Sequence, residues 1–299
     1  MDAASSLRVE TLTDAVPTAD TAADDGPVSI RRPETLRAPL VFASPHSGRR
    51  YSDAFLQDTA LSLVQLRRSE DAYIDELFSA APACGAPMVR ANFPRVYLDP
   101  NRAIDEIDPQ LFIDAPRSGN TPSPRTRAGL GVIPRIGAEG EPVYPHRLPI
   151  SEATDRLDRL YRPYHEALEE ELAAVTRAFG FVILIDAHSM PSRGNRHIDI
   201  VIGDRHGASA APGIVDQVEA AARNSGFRTA RNEPYAGGHS TEFYGRPLLN
   251  RHAVQIEVNR ALYLNESDVT RSGTFETTRT RLTAFIADLC SRPWGVELR

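Results

Sequence analysis

The sequence has few cysteines and no long apolar run, and each scarcity excludes a class of protein. Its 299 residues include two cysteines, Cys84 and Cys290, far apart in helix-like surroundings. We expect buried free thiols in a reducing cytoplasm, not a disulfide framework. No apolar run approaches the ~20 residues that a membrane-spanning helix needs. Residues 1–27 have neither a basic region nor an apolar core, so we expect a disordered tail that is not a secretory signal.

Positive charge is not in surplus either. The formal net charge is −6 and the isoelectric point is near 5.8. Both values argue against a surface for nucleic acid or for an anionic membrane. The sequence also lacks a G-x-S-x-G elbow, a G-x-x-x-x-G-K-[ST] loop and a G-x-G-x-x-G turn after the first strand. These absences disfavour serine hydrolases of the α/β type, NTPases and dinucleotide-binding enzymes.

What is present is an alternation of short β-branched segments with helix-like segments. It predicts an α/β fold with a mainly parallel or mixed sheet and helices on both faces. We expect one domain over residues 28–299, with an irregular insert at about residues 100–150 that is a binding loop, a lid or disordered. Pro163 should kink or divide the long helix predicted over residues 150–180. The predicted strands are "PLVFAS", "MVRANF", "RVYLD", "FVILI", "HIDIVIGD" and "HAVQIEVNR", and the other helices cover residues 54–87, 212–226 and 268–292.

Four of these predicted strands end in side chains that are able to do chemistry. Parallel strands bring their carboxyl ends to one edge of a sheet, where ligands bind in open α/β folds. Two histidines and a carboxylate from different strand ends suit a catalytic zinc, which takes three protein ligands and keeps one position for water. The polar residues at the four ends are His46 and Ser47; Asp186, His188 and Ser189; Asp204 and His206; and Glu257, Asn259 and Arg260.

The acidic ligand is less obvious than the two histidines. Glu70, Asp71 and Asp75 all stand near the start of a predicted helix. Carboxylates there also stabilise the helix dipole, and for any one acid alone this ordinary explanation is favoured. His46 and His188 differ, because a polar group at the end of a buried strand needs a partner.

Glu257 and Arg102 each have an ordinary and a functional interpretation. Glu257 is either a solvated residue on a half-exposed strand or the general base of a metal-assisted hydrolysis. Arg102 is either part of a surface ion pair or a bidentate ligand for a substrate carboxylate. The turn Asp99-Pro100-Asn101 directly before Arg102 would fix its position, which favours the second interpretation.

Taken in order, eight segments resemble the N-formylglutamate amidohydrolase family. They run from Pro39 to Leu264 and are "SPHSGRRYSDAFL", "RRSEDAYIDELF", "ANFPRVYLDPNR", "GLGVIPR", "LIDAHSMPS", "DIVIGDRHG", "GGHSTEFYGRP" and "VQIEVNRALYL". The resemblance implies a phosphorylase/hydrolase-like fold, as in zinc carboxypeptidases and aspartoacylases. It also implies metal-dependent cleavage of an N-acyl amino acid, with N-formyl-L-glutamate giving formate and L-glutamate, in the cytoplasm and within histidine degradation.

Residue by residue, the resemblance implies a zinc site with His46 and His188 as ligands and Glu257 as the catalytic glutamate. The carboxypeptidase pattern has its acidic ligand where this sequence has Arg49. Asp71 is therefore the favoured donor and Glu70 the second choice, while Asp186 would orient a ligand. The residues expected to bind substrate are Arg102, Asn101, His239 and Arg246.

Two other functions stay open at this point. One is a carboxypeptidase- or peptidoglycan-type zinc amidase with a longer cleft, and the other is a non-catalytic relative that binds a small ligand. The expected partner is a small acidic N-acyl amino acid, with no nucleic acid and no membrane. A homo-oligomer is compatible with the sequence.

Overall fold

Seven strands form one mixed sheet in the computed structural model, which describes residues 26–115, 122–193 and 197–295. Across the sheet their order is β1-β3-β2-β4-β7-β5-β6. β2, β3, β4 and β7 are parallel, whereas β1 is antiparallel to β3 and β5 is antiparallel to β7. Their bounds are β1 Val28–Arg31, β2 Leu40–Ser44, β3 Met88–Ala91, β4 Val182–Met190, β5 Ile200–Gly203, β6 Thr229–Arg231 and β7 Arg251–Asn259. A hairpin, β8 Leu264–Asn265 and β9 Thr270–Arg271, lies apart from the sheet.

Helices cover both faces of this sheet, so the expected fold class is confirmed. On one face α3, α7 and α9 pack against a core that includes Ile183, Ile185 and Val254. On the other face α5 and α6 pack against a core that includes Leu184 and Ala253. The helices are α1 Asp53–Asp58, α2 Leu63–Arg67, α3 Ile74–Leu77, α4 Pro124–Arg127, α5 Ile150–Arg156, α6 Arg162–Phe179, α7 Pro212–Asn224, α8 His239–Tyr244 and α9 Phe275–Ser291.

The predicted helix over residues 54–87 is three short helices instead of one. Ser62 begins α2 with a reciprocal capping box, which fixes a helix start in the middle of the predicted segment. Tyr73, directly before α3, has a left-handed backbone with φ of 63°. A non-glycine residue in that conformation interrupts the helix. The segment "RVYLD" forms a turn and not a strand.

The long helix before β4 contains a π-helical turn at Leu157–Tyr161, immediately before α6. Pro163 lies at the start of α6, and a proline removes a backbone donor from the preceding turn. The predicted kink is therefore a local widening of the helix. The C-terminal helix begins at Phe275 and not at residue 268, because the preceding residues form the hairpin of β8 and β9.

Most of the insert is ordered by its own backbone hydrogen bonds. Val132 donates to Glu106 and accepts from Asp99, and Leu148 pairs with Leu111. The predicted tail falls largely on residues 1–25, outside the described residues, but Gly26 and Pro27 both accept hydrogen bonds from Asn92. None of the described helices combines the length and the apolar character required to cross a bilayer.

Candidate functional site

The strand register brings three of the four polar strand ends together. β2, β4 and β7 are adjacent and parallel, and His188 pairs in register with Glu257. In the same register Asp186 pairs with Gln255, on the face of the sheet that α5 and α6 cover. The side chains at these ends therefore project to the same side of the sheet's carboxyl edge.

The expectation for the fourth strand end is wrong. β5 runs antiparallel to β7, so its carboxyl end points away from the carboxyl ends of β2, β4 and β7. Asp204 follows β5 and accepts a hydrogen bond from Asn232 Nδ2 at 2.7 Å. Asp204 thus joins the segments that follow β5 and β6, and it does not belong to the cluster, although the next residue, Arg205, lines the cavity.

His46, Asp71 and His188 form a buried cluster that could hold a metal ion. Asp71 Oδ2 lies 3.2 Å from His46 Nδ1 and 2.9 Å from His188 Nδ1. The second oxygen, Oδ1, accepts from Arg260 at 3.1 Å and from Ser189 at 3.3 Å. Asp71 is thus held by Oδ1 while Oδ2 faces the two imidazoles.

The outer nitrogen of each imidazole faces another carboxylate. His46 Nε2 is 2.7 Å from Asp99 Oδ1, and Arg95 lies 2.7 Å from the other oxygen of Asp99. His188 Nε2 is 3.0 Å from Asp186 Oδ2, as an ion-pair contact and not a well-aligned hydrogen bond, and it also lies 3.2 Å from Asn101 Nδ2. Asp186 and His188 are two residues apart on β4, so their side chains lie on the same face of the sheet.

Glu70 takes no part in this cluster. Its carboxylate accepts from the Tyr51 hydroxyl at 2.8 Å and from Arg67 at 3.2 Å. The two adjacent acids therefore point to different surroundings, and the geometry favours Asp71 as the ligand.

The electrostatics of the cluster follow from buried, close opposite charges. Burial acts to raise the pKa of Asp71, yet the hydrogen bonds from His188 and His46 bring that pKa well below its usual range. Burial acts to lower the pKa of His188, but Asp186 and Asp71 outweigh burial and raise it well above the ordinary value. The site therefore holds Asp71 as a carboxylate in a buried position.

The donor set fits a divalent cation. At His46 the Nε2 proton faces Asp99, so the Nδ1 lone pair is free to coordinate, and ligating histidines in metal sites have this arrangement. Zinc bonds of ~2.0–2.1 Å place tetrahedral ligands about 3.3 Å apart. The Nδ1–Oδ2 distances of 3.2 and 2.9 Å are close to that spacing. Two imidazoles and one carboxylate are also ligand types that zinc accepts.

Glu257 is buried beside this cluster, with 6% of its surface exposed, so it is not a solvated strand residue. Gln255 donates to its Oε1 at 2.8 Å. Burial raises the pKa of Glu257 to about 7, opposed by His188 and reinforced by Asp71. A carboxylate with a pKa near the working pH is suited to proton transfer.

A cavity of about 400 Å³ opens in front of the cluster. One wall carries the acidic groups Asp71 and Glu257, and four arginines contribute the opposite charge. The lining residues are His46, Asp71, Arg95, Asn101, Arg102, Arg125, His188, Ser189, Pro191, Arg205, Pro234, Tyr235, Ala236, Gly237, Gly238, Gln255 and Glu257.

Arg102 and Asn101 line the cavity, and hydrogen bonds to the rest of the protein fix the turn that carries them. Arg102 donates through Nε to Leu130 O at 3.0 Å, and its own carbonyl accepts from the Tyr161 hydroxyl at 2.9 Å. His165 Nε2 lies 3.0 Å from the carbonyl oxygen of Pro100. Tyr161 is the last residue of the π-helical turn, and His165 lies one turn later in α6. The long helix therefore supports the Arg102 turn at two points.

The structure places His239 and Arg246 outside the cavity lining. His239 is half-buried, contacts the Phe243 ring at a centroid distance of 5.4 Å and lies 3.5 Å from the Tyr161 hydroxyl. Arg246 is exposed and donates to Phe243 O at 3.0 Å. Five further residues of the site carried no sequence signal of their own. Asp99 is the partner of His46, and the four that line the cavity are Arg125, Arg205, Tyr235 and Gln255.

Comparison with known proteins gives consistent results. The family model described as N-formylglutamate amidohydrolase matches residues 38–264. The N-formylglutamate deformylase of Pseudomonas putida is 32% identical over 240 residues, 78% of this chain and 84% of the relative. The protein of that name from Pseudomonas aeruginosa is 31% identical over 274 residues, 87% of this chain and 95% of the relative.

Solved structures agree with this result. The N-formylglutamate amidohydrolase of Ralstonia eutropha superposes with a TM-score of 0.83 at 36% identity, covering 89% of this chain and 97% of that one. A protein of Agrobacterium tumefaciens, at 18% identity and a TM-score of 0.64, covers 89% of this chain and 92% of its own and shows the same fold.

Proposed function

The chain belongs to the N-formylglutamate amidohydrolase family, and from that premise we propose that it hydrolyses N-formyl-L-glutamate to formate and L-glutamate with a divalent metal, zinc. The relatives that bear this activity in their names match the chain over most of their length. The observation that carries the proposal is the buried cluster of His46, Asp71 and His188 with Glu257 beside it in one cavity. Binding alone does not require a buried base next to three converging ligands.

The chain's own residues divide the work of the reaction. Nδ1 of His46, Nδ1 of His188 and Oδ2 of Asp71 would hold the cation. When bound, the cation would act as a Lewis acid toward the formyl carbonyl and would lower the pKa of the attacking water. Glu257 accepts the proton of that water and returns it to the departing amine nitrogen. Gln255 keeps the Glu257 carboxylate in place through its 2.8 Å hydrogen bond.

The cationic side of the cavity supports the proposed substrate class. Arg102 is 7% exposed, and its guanidinium is oriented by Leu130 O and Asn101 O. In this proposal Arg102 binds the α-carboxylate of the substrate, and Asn101 lies beside it in the cavity lining. The volume of about 400 Å³ is at the small end of the ~300–1,000 Å³ typical of ligand pockets, which favours an amino-acid derivative over a polymer.

A panel of amides tests this function directly. Release of formate from N-formyl-L-glutamate should exceed release of acetate from N-acetyl-L-glutamate and cleavage of an unblocked dipeptide ending in glutamate. Arg102→Lys should raise KM for N-formyl-L-glutamate about tenfold or more, because an ammonium lacks the planar fork. Faster cleavage of the dipeptide would instead establish a carboxypeptidase-type function. If none of these amides is hydrolysed when metal is present, the proposed amidohydrolase activity is wrong.

A further inference from the structure

Arg125 lines the cavity, and its guanidinium has no partner among the described residues. It lies on α4 in the insert, is exposed, and lines the cavity together with Arg102. Over residues 26–115, 122–193 and 197–295, its side chain makes neither a hydrogen bond nor an ion pair. Most other arginines near the site are engaged, as Arg95 is with Asp99 and Arg205 is with Glu242.

The insert holds α4 in place above the Arg102 turn. Ser123 caps α4 by accepting from Thr126 N, and its hydroxyl donates to Glu106 Oε1 at 2.5 Å. Downstream of α4, Leu130 O accepts from Arg102 Nε at 3.0 Å. Arg125 is thus fixed on a short helix that is tied at both ends to the turn carrying Arg102.

Positive charge accumulates on this wall of the cavity. Burial lowers the pKa of Arg102, and the nearby guanidiniums of Arg95 and Arg125 lower it further, against the effect of Asp99. Glu106 offsets part of this positive charge at Arg102, while its oxygens accept from Ser123 and from the backbone of Ala103. Two cations that face one partly desolvated cavity repel each other unless an anion lies between them.

We infer that Arg125 binds a second carboxylate of the substrate, the one on its side chain, while Arg102 binds the α-carboxylate. The inference rests on the proposed function, because N-formyl-L-glutamate has these two carboxylates. Arg125 would then be the residue that selects an acidic side chain over a neutral one. The insert would supply this selectivity without contributing to the metal cluster.

The test compares two substrates that differ only in the side-chain charge, N-formyl-L-glutamate and its neutral isostere N-formyl-L-glutamine. Arg125→Ala should lower kcat/KM for the glutamate derivative about 10- to 100-fold, mostly through KM, and change it less than about threefold for the glutamine derivative. Arg127→Ala is the matched control on the same helix, because Arg127 is exposed and donates to Pro122 O outside the cavity. Equal losses on both substrates, or no loss on either, would overturn the inference.

A binding measurement separates this inference from the proposed function. Calorimetric titration of the zinc-supplemented protein with L-glutamate and with L-glutamine should show a preference for glutamate that Arg125→Ala removes. If formate is never released but this preference is found, the function fails and the subsite stands. If formate is released but Arg125→Ala changes neither the kinetic preference between the two formyl substrates nor the binding preference for glutamate, the subsite fails and the function stands. Wild-type protein that binds neither amino acid would also overturn the subsite.

Discussion

His188 and Glu257 are register partners on the adjacent parallel strands β4 and β7, so their side chains leave the sheet at neighbouring points on one face. The proposed metal ligand and the proposed proton acceptor are thereby positioned by backbone pairing and not by a loop. A slip of one residue in this register would send one of the two to the opposite face. β4 is buried along its whole length, which specifies the register strongly.

Replacing Asp71 or Glu70, one at a time, by its amide tests which of the two carboxylates binds the metal. Asp71→Asn should weaken zinc binding at least about 100-fold, because the amide lacks the charge that faces both imidazoles. Glu70→Gln is the matched control, since Glu70 bonds Tyr51 and Arg67 instead. Zinc titrated against a competing chromophoric chelator gives both affinities. The reverse order would reassign the ligand to Glu70.

Glu257→Gln separates chemistry from binding. The amide still accepts from Gln255 but cannot take up a proton, so kcat should fall about 10²–10⁴-fold with little change in KM. Zinc content and the midpoint of thermal unfolding should match those of the wild type. Because Glu257 must be deprotonated to act, activity of the wild type should rise with pH through the pKa of this residue, about 7 in the metal-free chain. Near-normal kcat in the variant would show that another group is the base.

The stability of the metal-free protein should decrease as the pH falls from about 6.5 to about 4. Burial and the nearby His239 lower the pKa of His165 to about 4, so between these values the unfolded chain binds a proton that the folded chain does not. Its contribution is fully present above pH ~6.5 and lost toward pH ~4, and amounts to roughly 1–3 kcal/mol. Urea unfolding at pH 7, 5.5 and 4.5 measures the loss.

Two substitutions isolate the contribution of His165 from that of His252, whose pKa burial also lowers to about 4. His165→Gln should make the free energy of unfolding less dependent on pH over this range. His146→Gln should leave the dependence unchanged, because His146 is 54% exposed. The same pH dependence in all three proteins would assign the loss to other groups.

The sequence predicted the fold class and the central cluster because those features are locally encoded. Short β-branched runs mark β2, β4 and β7, and polar residues directly after a buried run indicate a site wherever the strands are parallel. The direction of β5 was not predictable in this way, since it depends on how the chain after β4 returns to the sheet. Asp204 was consequently expected at the wrong place.

Residues whose role depends on long-range contacts gave no local signal. Asp99 looked like an ordinary turn residue, and its contact with His46 joins positions 53 residues apart. Arg125 lies in a segment rich in proline and arginine, where nothing in the spacing indicates that its helix covers the Arg102 turn. Conversely, His239 and Arg246 belong to the segment "GGHSTEFYGRP", which resembles the family. The residues of this segment that line the cavity are Gly237 and Gly238.

Titration of the metal-depleted protein with zinc tests the proposed dependence of the reaction on a divalent metal. Protein stripped by a chelator, with its metal content verified by elemental analysis, should release no formate from N-formyl-L-glutamate. Activity should then rise in proportion to added zinc and reach its plateau at about one equivalent per chain, and His188→Ala should abolish both binding and activity. Full turnover by protein that contains no metal would show that the reaction does not depend on a metal.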